Sequence, residues 1–190
     1  MKYDIVLAGV GGQGVLALAA AIATGAMEEK LFVKQAEVHG MAQRGGAVMA
    51  TLRLSDREIA SDLIPHGTAS MILGMEPMES LRYLSYLAPQ GALVTSSNPV
   101  RNISDYPNLD GLLDRARRLP HAIILDAEKL ARSAGSVRAT NMVMVGAAMH
   151  LLPIKPETIE SAVRTIFGRK GKDVVEVNLR ALRAGRAAAA

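Results

Sequence analysis

The chain has 190 residues, 49% hydrophobic and 21% charged, a composition that suits one globular domain with a full core and excludes a disordered chain. It has no Cys, which excludes disulfides, thiol catalysis and a cysteine-ligated iron–sulfur cluster within this chain, and aromatics at 3% without Trp leave no stacking platform for single-stranded nucleic acid. The net charge of +4 gathers near the C-terminus, where Arg169, Lys170, Lys172, Arg180, Arg183 and Arg186 meet only Asp173 and Glu176; this reads as a solvated helix face rather than a phosphate patch.

In chain order, "YDIVLAGV" is a short, continuously apolar run, which predicts a central parallel strand covered on both faces. "QGVLALAAAIATGAME" follows as a helix with Val15, Leu18, Ile22 and Ala26 near one face. No charge occurs from Ile5 to Met27. The cluster Gly9, Gly11, Gly12 and Gly14, with Gln13 among them, breaks that stretch too soon for a spanning helix or a signal peptide, and the chain reads as cytoplasmic. "LFVKQAEV" predicts a second strand. In "AVMATLRLSDREIASDLI", Val48, Ala50, Leu52 and Leu54 alternate with Met49, Thr51 and Arg53. That period of two predicts a half-exposed antiparallel strand, with "SDRE" turning into a short partner strand.

"ASMILG", "GALVTSS" and "AIILDA" predict three more buried strands. "EPMESLRYLSYL" predicts a helix with Pro77 near its start, where a missing N–H does no harm. Asn98 to Pro120 is polar and irregular around a short helix at "LDGLLDRARR". Helices are expected at Glu128–Ala134, Asn141–Leu151 and Pro156–Phe167, then a basic one from about Asp173 with a frayed end. Strands alternating with helices give an α/β class: a Rossmann-like three-layer sandwich, its sheet mostly parallel with an antiparallel hairpin element, in a single domain over residues 1–190.

Two stretches carry chemistry. "GVGGQG" holds Gly9-x-Gly11-x-x-Gly14 after a strand and before a helix. Gly9 permits a tight turn, Gly11 lets a ligand approach the backbone, and Gly14 lets helix and strand pack closely. The helix start suits phosphate, Gly12 and Gln13 fit a phosphate or a protein partner equally well, and Glu37 could accept a ribose hydroxyl. A plain strand-to-helix turn is the competing account. The second stretch is "EVHGMAQRGG", Glu37 to Gly46, expected beside the glycine turn at the carboxyl edge of the sheet. His39 can donate, accept or carry charge, Gln43 is donor and acceptor, and Arg44 could grip a phosphate or carboxylate with two bonds. Singly, each has a structural account; together at a ligand edge they favour function.

Other constellations are missing. His39, His66, His121 and His150 show no metal-ligand spacing, and there is no G-x-S-x-G elbow and no P-loop lysine. Asp126 and Glu128 read as caps, Asn141 as the start of a helix with a Met-rich buried face, and Glu76 as a complement to the start of its helix.

Taken together, "GVGGQG", "EVHGMAQRGG", "LGMEPMESLRYL", "TNMVMVGA" and "FGRKGKDVVEVNLRALRAG", in that order, resemble the gamma-type subunit of 2-oxoacid:ferredoxin oxidoreductases. The resemblance is strongest to the small, beta-type subunits of the indolepyruvate enzymes and runs from about Lys2 to Gly185. It implies a gamma-type catalytic domain in a non-autonomous subunit, completing the active site for oxidative decarboxylation of a 2-oxo acid, indolepyruvate or another aryl pyruvate, to an acyl-CoA. It implies that thiamine diphosphate and iron–sulfur clusters lie in a larger alpha subunit and that none is held by this chain alone. The glycine turn, Gly9, Gly11, Gly12, Gln13 and Gly14, would either contact coenzyme A phosphates at the interface or only pack against the partner, and His39, Gln43 and Arg44 would be the side chains presented. Ferredoxin would be an indirect partner, nucleic acid and membrane would not be partners, and the isolated chain could self-associate. Two other readings stay open: a free-standing NAD(P)- or coenzyme A-binding Rossmann-like protein, and a regulatory binding module.

Overall fold

The first apolar run forms β1 (Lys2–Val10), buried on both faces from Asp4 to Val10 as a central strand requires. The computed structural model describes residues 1–39 and 45–190, and of His39 the backbone alone. Around β1 lie β2 (Phe32–His39), β3 (Ala47–Ser55), β4 (Ala69–Gly74), β5 (Leu87–Ser96) and β6 (Ala122–Leu125), in the spatial order β2–β3–β1–β4–β5–β6. β1, β4, β5 and β6 run parallel, with Leu7 opposite Leu73 and Ile72 opposite Leu93. β3 runs antiparallel to both its neighbours, with Leu7 and Glu37 both opposite Ala50.

Alternation along each strand builds the layers. Ile5, Leu7, Met71, Leu73 and Val94 point into the larger core, covered by α1 (Val15–Glu28), α4 (Ala127–Ala134), α5 (Thr140–Ala148), α6 (Pro156–Phe167) and α7 (Lys172–Ala188). Val6, Ile72 and Leu93 point the other way, under α2 (Pro77–Arg82) and α3 (Leu109–Arg117). The expected three-layer α/β sandwich is therefore what forms. α2 is shorter than its sequence suggests, ending at Arg82 before a 3-10 turn at Leu84–Tyr86.

β3 departs from expectation in two ways. Among the described residues no strand follows it before β4; its partners are β2 and β1. Its polar side is also not exposed: Thr51, Arg53 and Ser55 are buried, because the segment after the strand folds back over them. Arg53 donates to the carbonyls of Ser61 and Leu63 at 2.8 and 2.7 Å and pairs with Asp4 at 2.9 Å. The alternation is real, but it separates an apolar core from a hydrogen-bonded one rather than from water. Among the described residues no helix is long and apolar enough to cross a membrane.

α5 is buried along its length from Asn141 to Ala148, so its Met-rich side is not a stripe but the whole cylinder. It packs on α7 with glycine facing backbone on both sides. A Cβ on Gly185 would stand 1.9 Å from the Val143 carbonyl oxygen, and one on Gly146 1.9 Å from that of Leu182. A methyl group there cannot be absorbed by a rotamer change. Gly185→Ala should lower the unfolding free energy by about 2–3 kcal/mol, the upper part of the overpacking range, measured by urea denaturation.

Candidate functional site at the carboxyl edge

The glycine turn leaves β1 and enters α1 with Gly12 at φ 104° and Gly14, the N-cap, at φ 80°. These are conformations that a side chain strains. Gly9 lies within β1 and serves closeness instead: a Cβ there would stand 2.8 Å from Val15 Cγ2 and 3.1 Å from Met75 Cβ. So Gly9 serves close packing rather than the turn, while Gly14 combines the turn's positive φ with a close approach. Gln13 is committed to the turn. Its Oε1 accepts from Val10 N at 2.8 Å and its Nε2 donates to the Met75 carbonyl at 3.2 Å, next to the Met75 N to Ala8 O bond at 2.8 Å.

The turn is tied to the end of the polar stretch. Gly11 N donates to Gly46 O at 2.8 Å, and Gly45 N donates to Gly11 O at 3.2 Å. The two stretches do meet, although β3 stands between their strands. Gln43 and Arg44 lie outside the described residues, as does the His39 side chain; the His39 backbone is opposite Val48, which is in turn opposite Gly9. Glu37 accepts from Gln35 Nε2 at 2.8 Å. It sits two strand spacings from β1, about 10 Å, which weakens its case as a ribose ligand.

The irregular segment after β5, which the sequence leaves without a role, returns along this edge. Asn102 Nδ2 donates to the Gly45 carbonyl at 2.6 Å. Tyr106 donates its hydroxyl to Glu76, and the Arg101 guanidinium lies 5.9 Å from the Tyr106 ring centroid. Glu76 caps α2 as expected, accepting from Glu79 N at 2.7 Å, but it is fully buried and anchors Tyr106 as well. Burial pushes its carboxyl above the usual glutamate range. The bonds from Tyr106, Glu79 N and Val100 N oppose that, and the Glu79 charge adds to it. The Tyr106 hydroxyl is pushed up by burial and by giving its hydrogen bond to Glu76. Asp126 caps α4 through Lys129 N at 3.0 Å, and its hydrogen bond from Asn98 holds its carboxyl low. A lone tyrosine and asparagine in an irregular segment give the sequence no period from which these bonds could be foreseen.

A mostly parallel sheet with a glycine turn bridged to a second loop at its carboxyl edge places the chain among open α/β folds, a class whose ligands bind at that edge. The family model for pyruvate ferredoxin/flavodoxin oxidoreductases matches residues 4–188. The indolepyruvate oxidoreductase subunit IorB of Archaeoglobus fulgidus is 37% identical over 194 residues, covering 97% of this chain and 94% of that one. Its counterpart from Thermococcus kodakarensis is 35% identical, covering 99% and 96%. Among solved structures, the keto/oxoacid ferredoxin oxidoreductase gamma subunit from Geobacter sulfurreducens shares the fold at a TM-score of 0.71 and 24% identity, over 98% of both chains. The 2-oxoglutarate:ferredoxin oxidoreductase from Magnetococcus marinus does so at 0.76 and 23%, over 99% of this chain and 31% of that longer one. This chain belongs to the pyruvate ferredoxin/flavodoxin oxidoreductase family.

Because burial raises the Glu76 carboxyl in the folded state, the native protein holds a proton that the unfolded chain has already released. Its contribution to stability is therefore largest below the ordinary glutamate range and declines as pH rises through it. Tyr106→Phe removes a donor to the charged form and should cost about 1–3 kcal/mol at about pH 7 and less at about pH 4. Glu76→Gln should flatten the wild-type decline, both read from urea midpoints across that pH range.

Proposed function

We propose that this chain is the small subunit of a 2-oxoacid:ferredoxin oxidoreductase that acts on indolepyruvate or a related aryl pyruvate. The observation that carries it beyond family membership is the bridge from Gly11 to Gly45 and Gly46. It makes one continuous surface of the glycine turn and the end of the Glu37–Gly46 stretch. Such a surface can close a second subunit's pocket, hold the substrate in place and exclude water. His39, Gln43 and Arg44 are the side chains this reading presents there, with Arg44 on an anionic group of substrate or coenzyme A.

The chain has no thiolate for an iron–sulfur cluster, and among the described residues no three His, Asp or Glu gather where a metal could sit. These residues do not fit a cluster, and on this reading the clusters and thiamine diphosphate reside in a larger alpha subunit. Coenzyme A fits better. Gly12 and Gly45 both hold positive φ, and a Cβ on either would meet nothing within 4 Å among the described residues, which leaves the backbone at both glycines room for a phosphate-bearing chain on this reading. The residues of this chain orient and enclose; the partner's thiamine supplies the electron sink for decarboxylation when bound. A free-standing dinucleotide enzyme is disfavoured, since Gln13 is committed to backbone and Glu37 is far from the turn.

Purified with its native partners, the tagged chain should bring down a stoichiometric larger subunit containing thiamine diphosphate and iron. The complex should reduce a one-electron dye only when given a 2-oxo acid. Arg44→Ala should leave assembly intact and lower kcat/KM about 10–100-fold, a loss of about 1.4–2.7 kcal/mol in transition-state stabilisation. A chain that comes down alone and inert would sink the proposal.

A further inference from the structure

Two stretches singled out in the sequence, "TNMVMVGA" and "FGRKGKDVVEVN", contribute nothing to the bridge between Gly11 and Gly45–Gly46, yet they converge. Between α1, the turn Val137–Ala139, α6 and α7 lies a half-open cavity of about 500 Å³. That is within the size range of small-molecule sites. Its walls are apolar, formed by Ala17, Phe167, Val174 and Val177.

Two buried amides reach into it. Asn141 is 7% exposed and Asn178 6%. Their orientations follow from backbone partners: Asn141 Oδ1 accepts from Met142 N at 2.9 Å, and Asn178 Nδ2 donates to the Val174 carbonyl at 2.8 Å. That leaves one donor, Asn141 Nδ2, and one acceptor, Asn178 Oδ1, without a partner among the described residues. Neither is sealed off, because among the described residues no fully enclosed side-chain polar atom lacks a bond. At the mouth stand two cations, Arg138 and Lys170, neither in an ion pair among the described residues; Lys170 Nζ lies 5.3 Å from the Phe167 ring centroid. Asp173 is the one acid in the lining, placed in the first turn of α7 where it complements the helix start.

We infer that this cavity is a binding site for a small organic acid with an apolar ring body, its acid group held by Arg138 and Lys170 and a ring N–H or O–H donor received by Asn178. Each part of that ligand answers one feature of the lining. A bare anion leaves the apolar walls wet. An apolar ring without the acid leaves two cations unpaired. A ring without a donor leaves the Asn178 carbonyl desolvated and unpaired, which is the costlier loss in a buried site. The site goes beyond the oxidoreductase reading and does not depend on it.

The test is calorimetric titration of the full chain, and of the complex, with three probes. These are indole-3-acetate, which has acid and donor, phenylacetate, which lacks the donor, and indole-3-ethanol, which lacks the acid. Indole-3-acetate should bind once per chain, and each of the others at least about tenfold more weakly. The surface variant Arg138→Gln should weaken indole-3-acetate by a similar factor and leave indole-3-ethanol unchanged. Asn178→Leu, checked for an intact melting transition, should erase the preference for indole over phenyl. Absence of binding at millimolar concentration overturns the site, as does binding indifferent to both variants. Because the titration reads the chain itself, failure to co-purify a larger subunit would not affect it, and failure here would leave the subunit reading standing.

Discussion

Helix α5 is apolar around its whole circumference, and most of the architecture follows from the need to cover it. A helix of that kind has no solvent face, so neighbours must close on every side. The sheet takes one side, α1 and α4 take the flanks, and α7 lies across the outside. Gly146 and Gly185 bring α5 and α7 to backbone contact, which removes the space where two ordinary side chains would stand. The larger core is thus a helix wrapped by four elements rather than a set of helices each resting on the sheet.

This packing also places the carboxyl edge that carries the candidate site. The first turn of α5 brings Asn141 against Gly14, where a Cβ would stand 2.9 Å from the amide nitrogen. The glycine turn is therefore held from the helical layer as well as from the sheet. On the far side, Glu76 and Tyr106 fasten the returning segment, and Asn102 passes that restraint to Gly45. Three irregular segments reach the same edge, joined by the backbone bonds between Gly11 and Gly45–Gly46 and by the side chains of Gln13, Asn102 and Tyr106. Burial disfavours the charge of the Glu76 carboxyl at the centre of this arrangement, and the three donors around it offset only part of that cost.

Most of the fold was legible because its signals are local. Continuous apolar runs marked the parallel strands, and Pro156 and Phe167 bounded α6 where the pattern placed them. The alternation in β3 marks a two-sided strand but does not reveal what covers its second side. A sequence shows that Thr51, Arg53 and Ser55 share a face; it does not show that the chain will return to give that face carbonyls. Strand order was illegible for a similar reason. β3 inserts between β2 and β1, and no residue in either neighbour announces it. At the site, the two glycine-rich stretches meet as expected but by another route: the start of β3, not the end of β2, brings Gly45 and Gly46 to Gly11. The parts played by Asn102 and Tyr106 were not legible, since both depend on one long-range bond from an aperiodic segment.

The side chain of Gln13 has a consequence of its own. By accepting from Val10 and donating to Met75, it occupies the place of the next rung between β1 and β4, after their backbones have separated. The turn is in effect a prosthetic extension of the ladder, built from an amide that is chemically a peptide unit. A loop braced in this way keeps little configurational freedom. Whatever docks on it meets a surface whose ordering entropy was surrendered when the chain folded, so few contacts are needed to hold a partner there.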